Sequence, residues 1–521
     1  MKKANSAATS GPTTNFRHSA LIGALVLIFP FFVAMAPSTV HANTITVNTI
    51  GDPGPSGTCD LRDAITNANN KDQSGSTNCV AGSGTDTIVF TVSGTITLGT
   101  DGTLPAIVNT LTIDSSNQTI TIDGASTYQV LFVNVGSTLN LDDLTIAHGS
   151  SSDKGGGIQN AGTLTATNCM FSNNASVGSG GAIYNNGTLT VISSTFLDNQ
   201  PGDGLAGGGI GNFGGKVTVM GSTFSGNSAS SGGAIHNTAR PGPIGGTLKV
   251  TNSTFSNNSA EQNGGGINTG GADTTATISN CTFSDNSAGV AGGGISGGIA
   301  TVSNSIFADS TSGGNCSGGV TDGGYNLSDD NSCGFAGTGA NGKPIGDNVN
   351  DVNVKLGALA DNGGFTQTLA LGTGSYAIDA IPKARCPSTD QRGAPRPDPD
   401  DSFLHPACDI GAFESGNEVW ITPSSLNFGT VPVGQRSAPM TVMLNNQSGQ
   451  DLKIRQWSIG ANYTIVSTSC PSPPSILPSD DSCTFAIAFR PIYGGVRNEL
   501  FQVNDNLGQQ IVHLSATAKG K

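Results

Sequence analysis

The sequence predicts an all-β protein, a right-handed parallel β-helix followed by a small β-sandwich. Three observations predict it. One glycine-rich unit recurs six times between Gly155 and Phe307, apolar residues alternate in register inside each unit, and short strand-like runs separated by turn residues fill the chain from 419 onward. Among 521 residues 75 are glycine and only 11% are charged. So much glycine without a collagen period would suggest disorder, were the hydrophobic residues not in register.

The N-terminus reads as an export signal over residues 1–42. Lys2, Lys3 and Arg17 precede an apolar run at 20–36, and Val40-His41-Ala42 fits a small-residue cleavage site; an uncleaved anchor is the alternative. No second apolar span follows, so no transmembrane span is predicted after the signal. Its removal leaves 19 Lys and Arg against 36 Asp and Glu, a formal charge of −17. That balance argues against nucleic acid and anionic membrane as partners.

The repeat carries the solenoid prediction. Glycine-rich turns end at Ile158, Ile183, Ile210, Ile235, Ile267 and Ile295, and each is followed by a strand and then by Phe171, Phe196, Phe224, Phe255, Phe283 or Phe307. The spacing of 24 to 32 residues suits one coil of a three-sided helix. Seven residues before each Phe stand Leu164, Leu189, Val217, Leu248, Ala276 and Ala300. Five before stand Ala166, Val191, Val219, Val250, Ile278 and Val302; two before stand Cys169, Ser194, Ser222, Ser253, Cys281 and Ser305. Steps of two mark one side of a strand and the extra residue marks a corner. Asn174, Asn199, Asn227, Asn258 and Asn286 follow the Phe by three. They read as turn residues that accept left-handed φ and hydrogen-bond to one another as a stacked ladder.

Outside the repeat, runs at 85–90, 94–98, 109–113 and 119–122 should form the first, less regular coils. Four cysteine pairs close in sequence, Cys59/Cys79, Cys316/Cys333, Cys386/Cys408 and Cys470/Cys483, read as disulfides of an oxidising compartment. Cys169 and Cys281 share one inward column four rungs apart, about 19 Å at the ordinary strand spacing, beyond reach of a disulfide. They are expected to be buried free thiols.

Several motifs carry resemblances. Gly-Gly-Ala-Ile at 180–183 and 232–235, with Phe-x-x-Asn, resembles the repeats of chlamydial polymorphic outer-membrane proteins, which implies a β-helical surface passenger. Cys59-Asp60-Leu61-Arg62-Asp63-Ala64-Ile65 is similar to the CSLREA signature near the start of bacterial surface β-helix proteins, with Asp60 and Asp63 where that motif has Ser and Glu. Leu61, Ala64 and Ile65 would lie on one face of a short helix capping the open end. The stretch from Leu356 to Thr368, then Ser375 to Asp379, Asp390-Gln391-Arg392-Gly393 and Cys408 to Glu414, resembles the choice-of-anchor segment of such proteins and is expected to close the far end. Leu426-Asn427-Phe428-Gly429, Cys470, Cys483 and Phe489-Arg490-Pro491 resemble the ASH/Hydin-like immunoglobulin fold. The expected organisation is a signal at 1–42, a capped β-helix at 43–345, a closing segment at 346–417 and an Ig-like sandwich at 418–521.

Chemistry is sparse. Asp142-Asp143 with His148 superficially resembles polygalacturonase fragments, but its spacing is wrong and an exposed turn is expected. His236 should be outward and exposed. The acidic loop at 397–401 lacks a full calcium ligand spacing, so no cofactor is predicted. The richest surface is a threonine array. Thr165, Thr190, Thr218, Thr277 and Thr301 form one outward column; Thr163, Thr188, Thr247 and Thr275 form a second, and Lys216, Lys249 and Ile299 interrupt the array. The expectation is a non-enzymatic secreted or cell-surface protein whose face of Thr163, Thr165, Thr188, Thr190, Thr218, Thr275, Thr277 and Thr301 meets an extracellular glycan or surface protein. A polysaccharide lyase or hydrolase is the alternative, and an ice-binding face a lesser one.

Overall fold

The computed structural model describes residues 42–520, apart from 117, 241–243, 272, 398–406, 417–418, 424, 447–450, 480 and 507–508. Residues 1–41 of the stretch read as an export signal, and 398–401 of the acidic loop, therefore lie outside the described residues.

Residues from Thr44 to Gly346 coil into a parallel β-solenoid with three sheet faces. The first face stacks eleven strands, from Thr44–Val47 to Val320–Asp322; the third stacks eight, from Leu131–Val133 to Cys316–Ser317. The second stacks twelve, and its last pair, Ala336–Thr338 on Pro344–Gly346, is antiparallel. Within a coil the chain passes from third face to first to second, as in Ile183–Asn185, Thr188–Ile192 and Thr195–Leu197.

Register follows from alternation. Leu164 pairs with Leu189, which pairs with Val217, and Ala166 runs likewise into Val191 and Val219. These side chains are buried and form one continuous core with the Phe column. The rings from Phe171 to Phe307 stack with centroids 4.5–4.9 Å apart, close to the strand spacing. A slip of one residue would turn every such side chain outward.

Besides the glycine three residues before each recurring Ile, from Gly155 to Gly292, two corners per coil have left-handed backbone. The first falls at Asp143, Asn168, Ser193, Gly221, Asn252, Asn280 and Asn304, and the second at Asn173, Asp198, Gly226, Asn257, Asp285 and Asp309. The turn-residue reading of Asn174, Asn199, Asn227, Asn258 and Asn286 needs correction here. The left-handed residue is the one before each, while these asparagines are buried and hydrogen-bond from rung to rung. A short polar side chain or glycine at the corner tolerates φ near +55°, which frees the next residue to point inward.

The N-terminal end is covered by a helix at Leu61–Asn70, which buries Leu61, Ala64, Ile65 and Ala68. Asp60 caps it by accepting from the Asp63 N–H. Arg62 forks onto Asp52 through Nε and Nη2, both at 2.8 Å.

Residues 356–414 do more than finish the last coil. Val349, Val354, Ala377, Ile381, Cys408 and Ile410 pack on Ile306 and Leu327. The chain then runs back along the outer side of the second face. Thr223 Oγ1 donates to the Gln367 carbonyl, Thr254 Oγ1 donates to Gln391 Oε1 at 2.6 Å, and the Ala412 N–H donates to Thr282 Oγ1 at 3.0 Å. The threonines that solvent would otherwise meet on this face are thereby buried.

From Val419 the chain forms two four-stranded sheets around a shared core. One contains Val419–Thr422, Met440–Asn446, Ser482–Phe489 and Tyr463–Thr468; the other Ser425–Pro432, Gln509–Lys519, Gly495–Asn504 and Gln456–Ile459. Phe485, Phe489 and Phe501 fill the space between them. Gln456–Ile459 lies where no strand-like run stands out in the sequence.

Candidate functional site

The first face supplies the longest uniform surface. In its outer column Thr163 pairs with Thr188, then Lys216, Thr247, Thr275 and Ile299. In the next, Thr165 pairs with Thr190, then Thr218, Lys249, Thr277 and Thr301. Thr163, Thr275, Thr277 and Thr301 are exposed, whereas Thr165, Thr188, Thr190 and Thr218 are half-buried. Alternation places them outward because Leu and Val occupy the inward positions between them.

A third outward column was not singled out in the sequence. It runs Asp114, Asp142, Thr167, Ile192, Met220 and Thr251, each the register partner of the next. These residues line one side of a cleft of about 650 Å³. Phe365 and Gln391–Gly393 form its back, and Pro423, Leu426 and 438–441 of the sandwich its far wall. Seven rungs, from Thr87 to Thr251, contribute, which is about 29 Å at the ordinary strand spacing.

Asp142 and Asp143 are therefore not the exposed turn expected from the sequence. They are half-buried beside Asp114, and both pKa values rise to about 6. Desolvation is the main cause for each; Asp114 repels both, while side-chain hydrogen bonds from Thr167 and Asn168 oppose the rise. The one basic side chain in the lining, Arg392, is already engaged. It pairs with Asp390 at 2.8 Å, donates to the Asn362 and Glu414 carbonyls, and lies between the Phe413 and Trp420 rings at 3.7 and 4.6 Å.

His236 is also not exposed. It is half-buried on the third face beside the Phe213 ring, with Nδ1 3.2 Å from Asn268 Nδ2. Desolvation lowers its pKa to about 4, so it is neutral at physiological pH.

Asparagine ladders hold the corners. Asn174 Nδ2 donates to Asn199 Oδ1, Asn199 to Asn227, Asn227 to Asn258, and Asn258 to Asn286, at 2.9–3.0 Å. A parallel ladder escaped the sequence reading: Asn160 to Asn185 to Asn212 to Asn237, at 2.7–2.8 Å. Its signal was available, because each of these asparagines stands two residues after the recurring Ile. Cys169 and Cys281 are buried free thiols whose pKa values burial pushes up to about 12. Disulfides join Cys59 to Cys79, Cys316 to Cys333, Cys386 to Cys408 and Cys470 to Cys483. Among the described residues no cluster of His, Cys, Asp and Glu fits a metal, and no helix is long and apolar enough to cross a membrane.

Fold and face together describe a repeat solenoid with a polar ladder on one side and a cleft along its margin. Residues 168–186, 221–238 and 252–270 match the Chlamydia polymorphic membrane protein repeat. Each match begins at the left-handed corner after a first-face strand and ends in the third-face region, so it contains Phe and both ladder positions, the second filled by Asn185, Asn237 and Thr269, but no first-face strand. None of the curated proteins compared matches the chain. Among solved structures, the ASH/PapD-like domain of human CEP192 is 20% identical, with 20% of this chain and 87% of that one covered and a TM-score of 0.16. The secreted serine protease VesC of Vibrio cholerae is 17% identical over 18% of this chain and 21% of its own, TM-score 0.15. The VesB protease of the same organism is 14% identical over 20% and 32%, TM-score 0.16. The aligned region thus spans about a fifth and a third of the two proteases, and none of these three likenesses bears on function.

Proposed function

We propose that the protein is a non-enzymatic, exported surface or secreted solenoid that binds an extended ligand, an extracellular glycan or surface protein, along its first face. The observation that carries the reading is the pair of outward columns from Thr163 and Thr165 to Thr275 and Thr301, held in register by buried ladders. A regular ladder of hydroxyl and methyl groups meets a repeating polymer at many weak contacts, which suits an extended partner. The matched membrane-protein repeats and the four disulfides support an outer-envelope or extracellular setting. For the sandwich, the immunoglobulin-like assignment rests on its two packed sheets and the sequence resemblance.

One observation favours a second reading, polysaccharide hydrolysis. Asp114, Asp142 and Asp143 are brought together in a cleft, and a carboxyl titrating near 6 suits a general acid. Against it, Ile192, Met220, Phe365, Leu426, Pro439 and Met440 make much of the cleft apolar.

The test is retention of acidic and neutral polysaccharides by the purified protein, with reducing ends and unsaturated products followed in the same samples. Retention that Thr190→Lys with Thr277→Lys abolishes, without new products, is the expected result. Turnover lost in Asp142→Asn would replace it with the hydrolase reading.

A further inference from the structure

We infer that the cleft between the first face and the sandwich is a docking site for an extended peptide segment carrying a lysine or arginine at one end and apolar side chains along the rest. The shape sets the length. Seven rungs span about 29 Å, and an extended chain advances about 3.3 Å per residue, so the cleft takes about eight to nine residues. The chemistry divides along that length. On the first face Asp114, Asp142 and Asp143 lie toward one end and Ile192 and Met220 follow in later rungs, while Phe365, Leu426, Pro439 and Met440 add apolar lining from the other walls.

Charge complementarity selects the occupant. No described Lys or Arg forms an ion pair with the three carboxylates, since Arg392 is bound to Asp390 and stacked on Trp420. From the other elements around the cleft, Asp390 and Arg392 are the charged groups in the lining; the sandwich contributes Thr422, Pro423, Leu426, Ala438, Pro439, Met440 and Thr441, none charged. Behind the acids lies the Cys169 thiol, which stays neutral because burial pushes its pKa up. An arriving ammonium or guanidinium would therefore meet an uncompensated negative end. Methionine at positions 220 and 440 gives the apolar part a side chain that adapts to different partners. A neutral glycan would leave the acidic end unpaired and set its hydroxyls against apolar walls.

Cation binding needs the carboxylates ionised, so affinity should follow their titration. With both titrating near 6, lowering the pH from 7.5 to 5 leaves each about one-tenth ionised and should weaken binding about tenfold or more.

The experiment uses the full-length protein and a fluorescein-labelled peptide, Lys-Lys-Leu-Val-Leu-Thr-Val-Ala, followed by fluorescence anisotropy. The expected result is saturable binding at pH 7.5, weakened at least tenfold by acetylating both lysines and by Asp142→Asn with Asp143→Asn. Met220→Glu should weaken it as well, with circular dichroism checking the fold of each variant. Thr190→Val with Thr277→Val, charge-neutral changes on the neighbouring columns, should leave it unchanged, which separates this site from the threonine face. Equal binding of the acetylated peptide, or by the double Asn variant, overturns the proposal. Displacement of the peptide by a short amine-bearing glycan at lower concentration than by unlabelled peptide overturns it in favour of a sugar ligand.

Discussion

Asn227→Asp changes the role of one atom in the middle of the buried ladder. Asn227 Oδ1 accepts from the Asn199 backbone N–H at 3.1 Å and from Asn199 Nδ2 at 2.9 Å. Its Nδ2 donates to the Phe196 carbonyl and to Asn258 Oδ1, each at 2.9 Å, and at 3.2 Å to the Ser225 carbonyl. A carboxylate keeps the accepting oxygen but puts a second oxygen against the two nearer acceptors. At about 1–3 kcal/mol for each buried group left unsatisfied, the loss is about 2–6 kcal/mol before the cost of burying a charge. Protonation offers a partial escape, because a neutral carboxyl can donate to one of the two acceptors. The introduced group should therefore have a folded-state pKa well above its unfolded value of about 3.9. The folded state then holds its proton at pH values where the unfolded state has lost it. Stability is retained below pH 4 and falls as pH rises through the folded pKa. A rise of about two pKa units makes the variant about 2.2 kcal/mol less stable at pH 8 than at pH 4, beyond any change in the parent. Asn227→Ala orphans the Asn199 N–H as well but introduces no titrating group, so its deficit should not depend on pH. Urea unfolding followed by far-ultraviolet circular dichroism at pH 4 and 8 measures all three proteins. Equal destabilisation of the Asp variant at both pH values, or none at pH 8, would refute the ladder as a donor–acceptor chain.

Asp142→Asn should act with the opposite sign. Both folded pKa values in the acidic end are raised, so their ionisation costs stability as pH climbs from about 4 to about 6. Neutralising one should stabilise the protein at pH 7.5 by about 1–2 kcal/mol, allowing for partial exposure, and do nothing at pH 4; thermal melts at both pH values check it. The Cys169 and Cys281 thiols, buried with pKa values near 12, should be silent to a thiol reagent in the native protein. Two thiols should react once guanidinium unfolds it with its disulfides intact, and native reactivity would show that the core opens. Phe255→Ala, in the middle of the ring stack, should cost about 3–5 kcal/mol and Phe255→Leu distinctly less, read from urea midpoints.

What could be read from the sequence was whatever repeats. Leu164 and Ala166 announce an inward strand because the same step of two returns in each later coil, and that periodicity belongs to local backbone geometry. Asn212 is equally readable by alignment on Ile210, since Asn160, Asn185 and Asn237 hold the same place two residues after the recurring Ile. The corner residue proper, Asn173 rather than Asn174, could not be separated from its neighbour without φ. Asp142 and His236 failed for another reason. Each looked exposed because its own coil leaves it outward, yet Asp142 is walled in by segments some 250 to 300 residues later and His236 by side chains of neighbouring coils. No single coil contains that information. The same distinction bears on where function lies. The matched repeats carry Phe171, Asn174 and Asn185, residues whose partners are copies of themselves in the next rung, and such residues are constrained by the scaffold whatever it binds. The matches stop short of the strands at 163–167, 216–220 and 247–251. There the inward positions are still fixed by packing, but the outward ones vary among Thr, Lys and Ile without disturbing the stack. A scaffold of this kind changes ligand by changing those positions, so Lys216, Lys249 and Ile299, which break the threonine columns, are more informative about this protein's own partner than the residues that complete them.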